Sequence, residues 1–292
     1  MTRMRRSLST YLAAAFLMMT AGAGCSTNPA TGARQFNAFS IEREIEMGAE
    51  AAPEFLKSYG GPIPSPEIQA YVSNIGHRLA ESSELPDLPW EFHVVDSQVI
   101  NAFALPGGKV FISRGLIAQL TSEAELAGVL GHEIGHVTAR HGGQQLTRAI
   151  GIQVAAAGLG IAGEIADEDA LRYMGLGTSA GGAVYLLKYG RDQETQADSL
   201  GMRYMSRNGY NPVGQLRVME VLQGASGSGG RPPEFFSTHP YPETRIDRIN
   251  KEIHDHYPDY EDTSKYSFRQ DEYKAQVLDR LVKLPPAKHT GQ

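Results

Sequence analysis

One cysteine, Cys25, and one tryptophan stand in the 292 residues. Without a second thiol no disulfide can close within the chain, so the fold is held by packing and by whatever its side chains coordinate. A structural zinc site closed by cysteines is excluded for the same reason. Positive charge is also scarce: 27 lysines and arginines face 33 acids, for a formal charge of −6. Such a chain is a poor nucleic-acid binder. Long apolar runs are missing too. The run from Tyr11 to Met19 falls short of the roughly 20 apolar residues that a spanning helix needs. The glycine- and alanine-rich stretch 149–190 is interrupted by glycines and by Glu164, Asp167, Glu168 and Asp169. It reads as a helical pair in preference to a membrane hairpin.

What is present begins with an export signal. Arg3, Arg5 and Arg6 precede the apolar run, and the small residues Ala21 to Gly24 follow it. Residues 1–24 therefore read as a removed signal peptide, whose loss takes away three arginines and no acids and leaves a charge of −9. Cys25 stands where bacterial lipoproteins carry the cysteine that is cleaved before and lipidated, although Gly22 occupies a place usually held by a larger aliphatic residue. A soluble export signal with an incidental cysteine is the alternative. Residues 25–40, with Asn28-Pro29 and Thr31-Gly32, read as a lipid-anchored linker.

Helical signals start near Ile41 and again at Ser65-Pro66, where Ile68, Val72, Ile75 and Leu79 share one face. Glu91 to Asp96 alternates as a strand, and Asn101 to Ser113 predicts two short strands about Pro106-Gly107-Gly108. Ser122-Glu123-Ala124-Glu125 is a capping box, opening a helix expected to end near Arg140, before Gly142-Gly143. Further helices are expected over Arg191 to Arg207, on to about Gln223, and over Pro242 to His254, with a mobile loop at 224–230. The pattern predicts an α+β fold, a mostly helical domain over 41–255 with a small β-sheet beside its central helix, and a charged surface extension over 256–292.

Inside the capped helix stands His132-Glu133-Ile134-Gly135-His136. Residues four apart lie one turn above each other, so both imidazoles can reach one ion, and zinc is the usual occupant. Glu133, rotated by one residue, can take a proton from a water that attacks a carbonyl. The apolar neighbours Leu126, Val129, Leu130 and Val137 bury the helix, and burying these polar groups without a partner would be costly. A third ligand is needed. Glu194 is the best candidate, with Asp198 one turn on to hydrogen-bond a ligand histidine, while Glu164 and Glu168 are rivals. His141 reads as a helix-end or surface histidine.

Taken in order, Asn101-Ala102-Phe103-Ala104-Leu105-Pro106-Gly107-Gly108, the His132 to His136 motif, Glu194 with Ala197-Asp198, and Thr238-His239-Pro240 with Arg245 resemble the CAAX prenyl protease and HtpX-like zinc metallopeptidases. The likeness runs from about Asn28 to Asn250 and is most similar to the soluble exported lipoprotein branch, which shares the Asn-Pro-x-Thr-Gly segment seen here at Asn28 to Gly32. The resemblance implies a gluzincin-type domain with one Zn2+ per chain on His132, His136 and Glu194. It makes Asn101, Ala102, Phe103 and Ala104 part of an edge strand that takes up extended substrate. It puts His239 and Arg245 near the zinc, to stabilise an oxyanion or, for His239, to fill the fourth position of a latent enzyme. It further implies a periplasmic endopeptidase, either anchored to the outer membrane through Cys25 or soluble. Its expected partners are unfolded or misassembled envelope proteins and the outer-membrane assembly machinery. A chaperone or assembly factor that uses the same cleft with little proteolysis is the alternative.

Overall fold

Ser122 opens the helix around which the rest is built. Its hydroxyl accepts from the Glu125 amide at 3.2 Å. The Glu125 carboxylate turns back to the Thr121 amide and hydroxyl at 2.6 and 2.8 Å, so the box closes one residue earlier than its usual form. The computed structural model describes residues 25–156, 188–227, 233–240 and 242–288. In chain order they form β1 (Cys25–Thr27), β2 (Arg34–Phe36), α1 (Ile41–Ser58), α2 (Pro66–Glu81), β3 (Glu91–Val95), β4 (Ala102–Leu105) and β5 (Lys109–Ser113). There follow α3 (Arg114–Ile117), the central α4 (Glu123–Thr138), α5 (His141–Ala156), α6 (Arg191–Arg207), α7 (Val213–Gly227), α8 (Phe235–Thr238) and α9 (Pro242–His256). The helical turns Gln270–Tyr273, Lys274–Leu278 and Asp279–Leu281 come last, the middle one wound as a π-helix. This is the mostly helical α+β architecture that the sequence pattern predicts.

The sheet runs in the order β3-β5-β4, with β3 parallel and β4 antiparallel to β5, which makes β4 an edge strand. Its side chains alternate between two cores. Ala102 and Ala104 join the main core with α2, α4, α6 and α7, whereas Phe103 and Leu105 face Met47 and Phe55 of α1. Every residue of α4 is buried. Its closest neighbour is α6, admitted by missing side chains: a Cβ at Gly201 would lie 2.9 Å from the His132 amide nitrogen, and one at Gly135 would lie 2.9 Å from the Ala197 carbonyl.

Four segments differ from expectation. Residues 25–40 are folded onto the domain instead of trailing as a linker. β1 pairs with β2, Asn28 bonds the Ala139 carbonyl at 3.3 Å, and Asn37 bonds Glu44 at 2.7 Å. Asn28 and Asn37, polar residues that suggest a loop, are here buried hydrogen-bonding groups. Gly142-Gly143 does not stop a helix; the reversal falls on Arg140, at φ +57°, and the glycines lie in the first turn of α5. A Cβ at Gly143 would stand 1.9 Å from Glu44 Oε1, so close approach explains this glycine. The charged remainder after residue 256 is also structural: Tyr273 and Val277 are buried, and the Tyr273 hydroxyl donates to the Ile117 carbonyl at 2.6 Å. Helix α7 also reaches Gly227, four residues into the expected loop. The signal segment 1–24 and most of the 149–190 stretch, with Glu164 and Glu168, lie outside the described residues. Among the described residues no helix is long and apolar enough to cross a membrane.

Candidate metal centre

Helix α4 presents His132 and His136 one turn apart, the first turn of α6 presents Glu194, and His239 follows α8 directly. The structure brings these four together: all are buried, and one donor atom from each lies within 4.8 Å of the others. His132 Nε2 stands 3.0 Å from His136 Nε2 and 3.2 Å from His239 Nδ1. Glu194 Oε1 is 3.0 Å from His239 Nδ1 and 3.6 Å from His136 Nε2, and Oε2 is 3.5 Å from His132 Nε2. Ligands held tetrahedrally about 2.0–2.1 Å from a zinc ion stand roughly 3.3–3.4 Å from one another. The observed spacings bracket that value. Both Glu133 oxygens and His239 Nε2 are buried without a hydrogen-bond partner. Unpaired buried acceptors such as the two Glu133 oxygens are rare, and a cation beside them answers the cost. Imidazole and carboxylate donors with unpaired acceptors alongside fit a divalent metal.

Arg245 is 1% exposed and joins the carboxylates. Its Nε and Nη2 donate to Asp198 at 2.9 and 2.6 Å, and its Nη1 lies 2.7 Å from Glu194 Oε2 in an ion pair that is close but not linear. Asp198 Oδ1 in turn stands 2.9 Å from His132 Nδ1. That contact makes Nδ1 the protonated nitrogen of His132 and leaves Nε2 free to ligate. The guanidinium thus lies against both Glu194 and Asp198, while its Nη1 makes no hydrogen bond.

Burial dominates the titration of the cluster. It lowers the pKa of His132 and, further, of His136 and His239, which favours neutral rings that each keep one nitrogen free to ligate. Burial raises Glu194 to about 7 against the pull of Arg245. It raises Glu133 well above the usual carboxylate range, with Glu194 adding to the shift. A bound dication would pull both back down. For Asp198, burial is outweighed by Arg245 and His132, which hold it below its ordinary value.

His239 is buried beside Glu133, with Nε2 3.5 Å from Oε1. The backbones of Ala102 and Ala104 on the β4 edge approach His239 and Glu133. Asn101 is buried, and its Nδ2 donates to Glu234 at 3.1 Å. For Cys25 the structure gives a strand pairing with Phe36. Of two further participants, the sequence does not single out Tyr189 and places His141 at a helix end or the surface. The Tyr189 ring stacks 3.8 Å from that of His136, and its amide donates to the Thr238 carbonyl at 3.0 Å. His141, expected at the surface, is 1% exposed with Nδ1 2.9 Å from His136 Nδ1. A cavity of about 600 Å3 on the far side of α6, lined by Thr195, Ser199, Arg248 and Glu252, includes none of the four donors.

Residues 66–253, from the start of α2 nearly to the end of α9, match the profile of Peptidase family M48. The chain belongs to that family. Among M48-type relatives it is 35% identical over 229 residues to the mitochondrial metalloendopeptidase OMA1 of Schizosaccharomyces pombe, covering 76% of this chain and 65% of that protein. It is 32% identical over 227 residues to the beta-barrel assembly-enhancing protease of Escherichia coli, covering 75% and 46%. To metalloprotease YcaL of Escherichia coli it is 29% identical over 192 residues, covering 64% and 73%. The match thus spans less than two thirds of the first of these proteins and less than half of the second. The M48 segment contains all four donors, Glu133, Asp198 and Arg245.

Proposed function

We propose that the protein is a zinc metalloendopeptidase, held latent by His239, that hydrolyses peptide bonds of unfolded or misassembled cell-envelope proteins. The convergence of His132, His136, Glu194 and His239 beside the unpaired carboxylate of Glu133 carries this reading. His132, His136 and Glu194 would hold the zinc. Bound there, zinc supplies Lewis acidity, polarising a carbonyl and lowering the pKa of water. Glu133 takes the proton as water attacks, and Asp198 and Arg245 keep His132 and Glu194 in orientation. The His239 ring lies between the ligands and Glu133, with one nitrogen toward each, where the attacking water belongs. Displacing His239 is therefore the activating step.

The edge that β4 forms among the described residues, from Asn101 to Ala104, is the substrate site in this reading. An extended segment adds there through main-chain bonds, which selects for unfolded chain over sequence. The exported lipoprotein branch, a periplasmic location and an anchor to the outer membrane through Cys25 belong to the same proposal. They are supported by the N-terminal sequence and by the bacterial relatives, one of which is named for beta-barrel assembly. The closed centre also favours a second reading, a chaperone or assembly factor that binds in the cleft and rarely cuts. Zinc-loaded wild type, His239→Ala and His239→Ala/Glu133→Gln, each with metal content measured, separate the two on an unfolded substrate. The expected order is slow, fast and inactive. Should the chain bind zinc while neither of the first two proteins cuts, the peptidase reading fails and the chaperone reading stands.

A further inference from the structure

We propose that His141 is a positioning residue for His136, and that the Asn28 turn, through Gln196, holds His141 in place, so the N-terminal segment is part of the metal centre. The proposal rests on the reading of His136 as a ligand. With Nε2 of His136 turned to the other donors, its Nδ1 carries the hydrogen. Among the described residues, the side-chain atom paired with it is His141 Nδ1, at 2.9 Å. Two ring nitrogens so close share one hydrogen, so His136 donates and His141 accepts. That leaves the hydrogen of His141 on Nε2, which faces Gln196 Oε1 at 2.8 Å. The donors and acceptors agree along the whole chain.

Gln196 is oriented from its other side. Asn28 Nδ2 donates to the same Oε1 at 3.2 Å and to the Ala139 carbonyl at the end of α4 at 3.3 Å. Asn28 is itself fixed: its Oδ1 accepts from the Ala30 and Thr31 amides at 2.9 and 3.2 Å, and its backbone amide donates to the Ala33 carbonyl at 2.7 Å. Gly32, at φ +71°, supplies the left-handed residue that closes the turn. Asn28, His136 and His141 are all buried. The two ligand histidines are therefore held differently. His132 leans on the carboxylate of Asp198, whereas His136 leans on a neutral ring whose alignment depends on a residue more than a hundred positions away in the chain. Partners of this kind fix ring orientation, and their loss typically weakens metal binding by about 10- to 100-fold.

The test uses the full chain, with zinc affinity measured by competition against a chromophoric chelator. Imidazole nitrogen–proton correlation spectra of the zinc-loaded protein supply the second readout. His141→Leu is expected to weaken zinc binding by about 10- to 100-fold. His141→Asn, whose Oδ1 can accept in place of Nδ1, is expected to recover most of that loss. Asn28→Ala is expected to weaken binding in the same direction, and Gln196→Glu, which offers a stronger acceptor, to tighten it. In wild type the Nδ1 of His136 is protonated and that of His141 is not. A protonated Nδ1 on His141 overturns the relay without any variant. Unchanged affinity in His141→Leu, with thermal midpoints of the metal-free chain lowered alike in His141→Leu and His141→Asn, reduces His141 to a packing residue. If His136→Ala binds zinc as tightly as wild type, the ligand reading itself has failed and the relay falls with it.

Discussion

Glu234 ties down the segment that carries His239. Its carboxylate accepts from the Tyr59 hydroxyl at 2.5 Å and from Asn101 Nδ2 at 3.1 Å, and the next amide, of Phe235, donates to the Ile100 carbonyl at 3.3 Å. The His239 amide then returns to the Phe235 carbonyl at 2.8 Å, so clamp and plug move as one piece. Hydrogen bonds to charged groups are worth about 1.5–3 kcal/mol, enough to bias a closed state without locking it. Tyr59→Phe is therefore expected to raise the proteolytic rate of the zinc-loaded enzyme, with a small loss of thermal midpoint. A lower midpoint with no gain in rate would mean that the clamp supports the fold and does not gate the centre. A second residue carries a different load. Arg140 pairs with Glu44 through Nη2 and Nε at 3.0 and 3.1 Å, both side chains buried. Removing one member of a buried pair leaves the other charge uncompensated, at a cost of about 3–5 kcal/mol. Arg140→Met should lose that much in denaturant unfolding, and Arg140→Met/Glu44→Leu should regain most of it.

Between elements, the contact of α4 with α6 decides whether the ligands meet. Gly201 has no room for a methyl group beside the His132 amide, and extra volume in a packed contact costs about 1–3 kcal/mol. Gly201→Ala is expected to lose stability on that scale and also to bind zinc more weakly, because Glu194 and Asp198 ride on the displaced helix. Gly224→Ala on α7 serves as the control: nothing lies within 4 Å of its added Cβ, and helix propensity there favours alanine. This contact marks the limit of what the sequence discloses. Features set within one helix are legible, because spacing alone puts His132 above His136, Glu194 above Asp198, and Ser122 on the Glu125 amide. Contacts made by absent atoms are not: Gly131, Gly135 and Gly201 look like weak points in helices until their neighbours are known. Nor does any periodicity link Asn28 to Gln196. The C-terminal stretch did carry a signal, since Tyr273, Val277 and Leu281 recur every fourth residue, but the charged residues between them gave it the look of a solvated tail.

At the scale of the whole molecule, the last residues complete what the first helices begin. The Ala124 amide donates to the Phe268 carbonyl at 3.2 Å, Arg269 pairs with Glu123 at 3.1 Å, and the Lys288 amide reaches the Asp96 carbonyl at 3.1 Å. Tyr273→Ala empties a buried site beneath α3 and is expected to cost about 3–5 kcal/mol, read as a fall in unfolding midpoint. If stability is unchanged, the C-terminal stretch is an appendage after all. Seen as a polypeptide made from its N-terminus onward, this arrangement sets a schedule. The helix bearing His132 and His136 is synthesised well before the residues that cover its first turn, and the bridge at Lys288 forms later than either. A half-made chain therefore carries the metal-binding motif without the walls that align it. The order of synthesis delays assembly of the centre until the residues that wall it have emerged.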